Sequence, residues 1–401
     1  MIEYLENGTI TSVKGIKAAG IFCGLKKQKK DLALIYSESP ANVAGTFTLN
    51  KVQAAPLLIS KDIISKDQKV RAILINSGNA NACTGEKGLN NATETQEFCA
   101  RHLGIEKEEV LVSSTGVIGI QLDIEKIKEG ITKIQLSESN SAGYDAAEAI
   151  LTTDTYHKSF ACKVQLSNGE VRIGGICKGS GMIMPNMATM LAFIATDTEI
   201  PKHLAQNLIL EAVNKSFNRI SVDGDTSTND MAVLMANGAS KISINEENND
   251  YKIFKVALRD LCKKMAMAIV KDGEGATKFI SVKVASAKSE TDADSAAKAV
   301  VNSSLVKTAI YGADANWGRI LSAVGNSGIN FSPEKVMIKV GELPLLNPGY
   351  DSNFDESIAK EILLQKEIDI TIELNEGDAS TTWWTCDFSE QYVKINANYR
   401  T

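Results

Sequence analysis

Lys178-Gly179-Ser180-Gly181-Met182-Ile183-Met184-Pro185-Asn186-Met187-Ala188-Thr189-Met190-Leu191-Ala192-Phe193-Ile194-Ala195-Thr196-Asp197 is the stretch on which the reading of this chain turns. Met190 to Ala195 is a short, continuous apolar run closed by polar Thr196-Asp197, the pattern of a buried strand. Thr189 heads that strand, and the glycines upstream allow the chain to bend into it. A threonine hydroxyl is a poor nucleophile until a base takes its proton, and a free α-amine on the same residue can be that base. The amine exists only if the Ala188–Thr189 peptide bond is broken. The stretch therefore predicts self-cleavage followed by acyl transfer.

Outward from this strand, strand-like and helix-like segments alternate. Asp31 to Tyr36, Val70 to Asn76 and Glu109 to Ser113 read as strands, and Phe160 to Leu166 and Val171 to Cys177 as a pair joined by the turn Ser167-Asn168-Gly169. Asn91 to Leu103 reads as a helix closed by Gly104. Asp123 to Ile134, Ser141 to Leu151, Pro201 to Asn218, Tyr251 to Val270 and Asp355 to Gln365 also read as helices. In the helix from Tyr251, residues Phe254, Leu258, Leu261, Met265 and Ile269 recur at helical spacing and predict a core face. Later strands are expected at Phe279 to Ala285, Val336 to Val340, Ile368 to Leu374 and Tyr392 to Asn396. The bulky stretch Trp383-Trp384-Thr385-Cys386-Asp387 reads as packing. Consecutive strands among helices give an α+β class with two mixed sheets packed together and helices outside.

The 401 residues are enough for one large core or two modest ones, and 44% hydrophobic with 23% charged residues is ordinary for a globular protein. The net charge of −6 gives no case for a nucleic-acid or membrane partner. Lys26-Lys27-Gln28-Lys29-Lys30 reads as a solvated turn rather than a phosphate-binding patch. The seven cysteines are scattered and lack C-x-x-C spacing, as in a cytoplasmic protein with reduced, mostly packed thiols. Met1 to Glu6 is acidic and lacks a long apolar region, so no signal peptide is expected.

Several segments could carry chemistry. Asn76-Ser77-Gly78-Asn79-Ala80-Asn81-Ala82 permits close backbone approach to a ligand, or is a structural loop of turn formers. In Ser113-Ser114-Thr115-Gly116, a hydroxyl and a backbone N–H side by side suit an oxyanion hole. Lys178 could bind a substrate carboxylate, and Glu274, between two glycines, could meet an ammonium group or move a proton. The terminal Lys394-Ile395-Asn396-Ala397-Asn398-Tyr399-Arg400-Thr401 could fray or fold back over a site. His102, His157 and His203 have no ligand spacing, and no phosphate loop or dinucleotide fingerprint is present. Asp223 to Asp230 departs from a calcium loop at Thr228 and Leu234 and reads as a polar site loop. No metal and no bound cofactor are expected.

Taken in order, these segments resemble the glutamate N-acetyltransferase / ornithine acetyltransferase family of arginine biosynthesis. The resemblance rests on Gly15-Ile16-Lys17-Ala18-Ala19-Gly20, the segments at 76–82 and 114–119, Thr152-Thr153-Asp154-Thr155, Lys178 to Met182, and Pro185-Asn186-Met187-Ala188-Thr189-Met190-Leu191. It continues through Asp223 to Asp230, Gly273-Glu274-Gly275-Ala276-Thr277-Lys278, Asp314-Ala315-Asn316-Trp317-Gly318-Arg319 and the terminal Asn396 to Thr401. It implies a precursor cut between Ala188 and Thr189 into an α chain, 1–188, and a β chain, 189–401, sharing one intertwined fold and assembling as an α2β2 heterotetramer. Thr189 would be the nucleophile, and Thr115 and Gly116 the oxyanion hole. Thr152, Lys178, Thr189, Glu274, Asn396 and Thr401 would bind substrate, with Thr153 one register step from Thr152. The implied fold is an αββα-type sandwich with a smaller C-terminal α/β part. The implied reaction moves acetyl from N2-acetyl-L-ornithine to L-glutamate, with acetyl-CoA as an alternative donor. The other reading is an amidohydrolase or aminopeptidase that uses Thr189 with water as acceptor.

Overall fold

The computed structural model describes residues 2–184 and 190–398. They fall into two compact units, one drawn from Met1–Asn218 and Asp225–Ile269, the other from Arg219–Gly224 and Val270–Arg400. The first unit contains β1 (Ile2–Tyr4), β2 (Ile16–Ile21), β3 (Leu32–Phe47), α1 (Ala55–Ser65), β4 (Val70–Asn79), α2 (Gly85–Leu103), β5 (Val110–Val117), α3 (Ile124–Lys133), α4 (Asn140–Ala149), β6 (Lys158–Leu166), β7 (Gly169–Lys178), β8 (Leu191–Thr196) and α5 (Lys202–Asn214). After β9 (Ile220–Ser221), which belongs to the second unit, the chain returns for β10 (Met231–Ala236) and α6 (Asn249–Lys271).

The strand order is β1-β6-β7-β8-β10-β3-β4-β5, with β2 also on β3. β3 joins two halves of this sheet. Its Asn42–Phe47 end pairs with β10, while Leu32–Tyr36 pairs with β2 and β4. The register shifts between Tyr36 and Ala41, and Pro40, which has no N–H for a ladder, falls in that interval. Period-2 alternation then sorts the side chains. Ala33, Ile35, Ile73 and Ile75 of one half share a core with Ile176, Leu191, Phe193 and Val233 of the other. The alternate positions Leu32, Leu34, Ala72 and Leu74 pack against α2 and α3 through Cys99, Ala100, Ile127 and Ile131. On the second half, Gln206 of α5 bonds both backbone groups of Gly45, and Met265 of α6 lies over Gly175. The result is helix, sheet, sheet, helix, the sandwich expected.

The second unit adds β11 (Phe279–Ala287), α7 (Glu290–Val301), α8 (Ser304–Tyr311), α9 (Trp317–Gly325), β12 (Met337–Val340), β13 (Leu343–Leu346), α10 (Glu356–Leu363), β14 (Glu367–Glu373), β15 (Ala379–Cys386) and α11 (Glu390–Asn398). Its mixed sheet runs β13-β12-β14-β11-β15-β9, with β11 parallel to β14 and antiparallel to β15. The tryptophan stretch is β15. Trp383 joins the core of this unit, and its Nε1 donates to Asp294 at 2.9 Å.

Most sequence expectations hold within a few residues. Gly104 caps α2 in the left-handed conformation at φ 66°, its N–H reaching Ala100 and Arg101 carbonyls. One assignment is wrong. Tyr392 to Asn396 is not a strand but part of α11, where Tyr392 and Ile395 are the half-buried positions, three apart, on an otherwise exposed turn. Met231–Ala236 is a fully buried strand that the sequence reading missed. Among the described residues no helix is long and apolar enough to cross a membrane.

Gly20 of β2 faces the backbone of α4, and a Cβ there would lie 1.9 Å from the Asp145 carbonyl oxygen. Gly20→Ala is expected to cost about 1–3 kcal/mol of stability, read as a lower urea midpoint with an unchanged slope, because a backbone cannot step aside as a side chain can.

Candidate active site

In the first unit, the sheet aligns the ends of three strands. Lys178 of β7 stands opposite Leu191 of β8, which stands opposite Met231 of β10. The residues just beyond this row are Gly179, Met190 and Asp230. The segment Pro185 to Thr189, with the expected nucleophile Thr189 and its neighbour Ala188, lies outside the described residues.

Thr115 and Gly116 end β5, paired with Ser77 and Gly78 of β4. Gly116 has φ 133°, and a Cβ on it would come within 2.4 Å of the Gly78 carbonyl carbon, so only glycine fits. The side chains of 76–81 are spent on support. Asn76 Nδ2 donates to the Asn79 carbonyl at 2.9 Å, Asn79 Nδ2 to that of Ile120 at 3.1 Å, and Asn81 Nδ2 to that of Gly88 at 2.9 Å. Of the two readings of this loop, its hydrogen bonds favour the structural one. Asn229 Nδ2 donates to both the Ala80 carbonyl, at 2.6 Å, and the Ser114 carbonyl, at 2.8 Å. Asn229 thereby ties the 225–230 loop to the Thr115-Gly116 turn, and its neighbour Asp230 lies beside Met190. These two residues bring the Thr115 turn and the Lys178 row into one place.

A second network fixes Thr152 and Lys178. Asp154 and Lys158 form an ion pair at 2.7 Å with both side chains at 0% exposure. Asp154 also accepts from the Gly179 N–H at 2.8 Å and the Thr152 N–H at 3.0 Å. Burial alone would raise the Asp154 pKa. The Lys158 and Lys178 charges and these hydrogen bonds outweigh it and hold the carboxyl below the usual range. One carboxylate thus fastens the Thr152 loop to the residue after Lys178. The sequence signal for it was an Asp and a Lys at i,i+4 in a hydroxyl-rich segment, which spacing alone does not mark as buried.

The basic cluster is the hairpin turn expected between β2 and β3, with Lys27, Gln28 and Lys29 exposed, but Lys26 departs from it. The Lys26 Nζ turns inward and donates to the Leu151 carbonyl at 2.6 Å and the Lys30 carbonyl at 2.9 Å. Burial pushes its pKa down to about 8, with Asp31 and Asp154 opposing and Lys178 adding to the fall. Asp31 folds the segment around it by accepting the N–H groups of Cys23, Gly24 and Lys26.

In the second unit, Glu274 is buried on the loop after α6 and accepts from Asn396 Nδ2 at 2.8 Å. Gly275, at φ 72°, lets that loop approach α11, since a Cβ there would be 2.5 Å from the Tyr392 nitrogen. Asp387 holds the Thr277 and Lys278 N–H groups at 2.8 and 2.9 Å. The helical form of α11 carries the Asn396 amide to Glu274. Thr401 lies outside the described residues.

Facing sheet halves between helices, with a hydroxyl–glycine turn and buried lysines at the strand ends, frame the candidate site of the first unit. Residues 17–401 match the ArgJ family model. The chain belongs to the ArgJ family. It is 51% identical over 405 residues, covering 100% of both chains, to the arginine biosynthesis bifunctional protein ArgJ of Caldanaerobacter subterraneus subsp. tengcongensis. It is 47% identical over 395 residues to the protein of that name in Bacillus subtilis, covering 98% of this chain and 97% of that one. Among solved structures it is similar to ornithine acetyltransferase from Mycobacterium tuberculosis complexed with ornithine, with 35% identity and a TM-score of 0.44 over 47% of this chain and 100% of that chain.

Asp154→Asn should cost about 3–5 kcal/mol at neutral pH by leaving Lys158 buried without its counter-charge. Because the folded pKa of Asp154 is depressed, its contribution is full above the ordinary aspartate value of about 3.9 and fades as pH falls below it. Urea denaturation at stepped pH should therefore show the gap between wild type and variant closing below about pH 4.

Proposed function

We propose that this chain is an acetyltransferase that moves the acetyl group from N2-acetyl-L-ornithine to L-glutamate, releasing L-ornithine and N-acetyl-L-glutamate in arginine biosynthesis. The observation that carries this reading is the family match from residue 17 to 401, which spans every candidate residue from Thr115 to Thr401. The Thr115-Gly116 turn, Lys178 and the start of β8, aligned by the sheet, support it.

In maturation, Thr189 Oγ attacks the Ala188 carbonyl carbon, forming an ester as the peptide bond breaks, and water releases the 1–188 chain. In turnover, the freed α-amine takes the hydroxyl proton and Thr189 accepts the acetyl group, so the donor leaves before the acceptor enters. The Thr115 hydroxyl and Gly116 N–H stabilise the oxyanion of each tetrahedral intermediate. Lys178, and the Thr152 backbone that Asp154 fixes with it, bind the amino-acid substrate through its carboxylate. Glu274, oriented by Asn396, meets an ammonium group, and Thr401 contributes a further contact. The name bifunctional, carried by the relatives, supports a second activity, acetylation of glutamate from acetyl-CoA. The packed cysteines accord with a cytoplasmic setting, and the two chains are proposed to assemble as α2β2.

Intact mass is the test of maturation. The purified wild type should give two fragments whose masses sum to the 43.2 kDa chain plus one water, one beginning at Thr189, and Thr189→Ala should stay uncut and inactive. A wild type that remains whole rejects the mechanism. With acetylornithine as donor, acetylglutamate should appear only when glutamate is supplied; release of acetate instead would make water the acceptor and the enzyme an amidohydrolase. Thr115→Ala should lower kcat by about 10²- to 10³-fold, roughly 3–4 kcal/mol of transition-state stabilisation, with a far smaller change in KM.

A further inference from the structure

The reaction outlined above gives Lys26 no part, yet its side chain joins two pieces of the candidate site. Its stem lies over Gly78, where a Cβ would be 3.0 Å from Lys26 Cγ. Gly78 is paired with Gly116 across β4 and β5, and Ser77 beside it with Thr115. The stem therefore packs on the strand that backs the Thr115-Gly116 turn. At its far end, the Lys26 Nζ donates to the Leu151 carbonyl at 2.6 Å, just after α4.

The Leu151 carbonyl and the Thr152 N–H belong to one trans peptide group and point in opposite directions. Asp154 accepts the N–H at 3.0 Å, so an ammonium and a carboxylate grip the two ends of the same peptide. The end of α4 is fastened to the same strand a second time, since the Ala149 carbonyl accepts from Ser77 Oγ at 2.5 Å. Lys30, from the same turn as Lys26, reaches the flank of α4 instead, where its Nζ pairs with the exposed Asp145 and Glu148 carboxylates.

We propose that Lys26 is a positioning residue of the candidate site: it sets the Leu151–Thr152 peptide, and with it the substrate contact at Thr152, against the Thr115-Gly116 turn. The proposal rests on the acetyl-transfer reading above. Without the ammonium, the Leu151 carbonyl loses a charge-assisted bond and the peptide is held from its N–H side alone. A contact made equally to bound substrate and to transition state shows in KM rather than in kcat. The charges facing Lys26 are Asp31, Asp154, Lys178 and Lys29, and its pKa of about 8 means that the grip weakens as pH rises past that value.

The experiment compares wild type, Lys26→Met, Lys26→Arg and Lys30→Met for L-ornithine affinity by calorimetry and for acetyl transfer from acetylornithine to glutamate. A wild type that neither binds ornithine nor transfers acetyl overturns the acetyl-transfer reading and this proposal together. Lys26→Met keeps the stem over Gly78 and removes the ammonium, so Kd and KM should rise about 10-fold or more with kcat within about 3-fold. Lys30→Met gives up exposed ion pairs to the same helix and should leave Kd within about 2-fold. Lys26→Arg keeps donors on a charge that does not titrate in this range. It should bind within about 3-fold of wild type at pH 7, and the loss of affinity as pH rises past about 8 should be smaller than in wild type, groups common to both proteins cancelling in the comparison. With the wild type active, a Lys26→Met protein that binds as wild type does, or that loses kcat alone, overturns the role of Lys26 and leaves the acetyl-transfer reading standing. A Lys30→Met protein that weakens binding as much as Lys26→Met also overturns it, since the turn would then be a general anchor. Should Lys26→Met not fold, Lys26→Arg decides, because an affinity with the pH dependence of the wild type overturns the proposal.

Discussion

The first unit depends on one strand being shared. β3 is sixteen residues long, beyond the usual length of a strand, and it spends its two ends on different partners. The break in its pairing between Tyr36 and Ala41 turns one hydrogen-bonded path into two facing halves, and the apolar core between them follows from that turn. Most of the elements proposed for the chemistry of this unit hang from a strand end of one half or the other, while Thr152 lies on the loop between α4 and β6. Thr115 and Gly116 come from the half that holds β4 and β5, and Lys178 from the half that holds β7 and β10. Asn229, which bonds carbonyls at both Ala80 and Ser114, is the fastening between them.

Charge in this unit is handled by pairing and by protonation. Asp154 keeps its charge because Lys158, Lys178 and two N–H groups surround it, whereas Asp230 is held toward its neutral form because its surroundings supply too little. Two aspartates under the field of the same lysine are thus shifted in opposite directions by what else touches them. Lys26 sits at the intermediate point, its ammonium tethered by two carbonyls but discouraged by burial.

The sequence showed what periodicity and punctuation can show. The β6–β7 pair, β8 and the Gly104 cap were legible because alternation, continuous apolar runs and a terminal glycine are local signals. Met231–Ala236 was not, since Met and Ala have little strand preference and the segment is a strand only because β3 and β8 flank it. Tyr392 to Asn396 misled because its alternating, β-branched pattern suits a strand, whereas the helix puts Tyr392 and Ile395 inward three residues apart. Lys26, Asp154 and Asp230 stood in quoted segments, yet their burial is set by contacts across long stretches of chain. Thr115, Gly116, Lys178 and Glu274 were named from residue type and resemblance. The structure adds the supports that local pattern does not encode.

β7 and β8 are antiparallel neighbours in one sheet, six residues of each in register, and β10 and β3 follow beyond them. A chain divided between β7 and β8 has two strands from its later part, β8 and β10, wedged between β7 and β3 from its earlier part. Taken apart, the pieces would present raw strand edges at β7, β8, β10 and β3, each a template for mispairing and aggregation. Such a division therefore has an order imposed on it: assembly first and scission second, with the nicked product behaving as a single inseparable molecule.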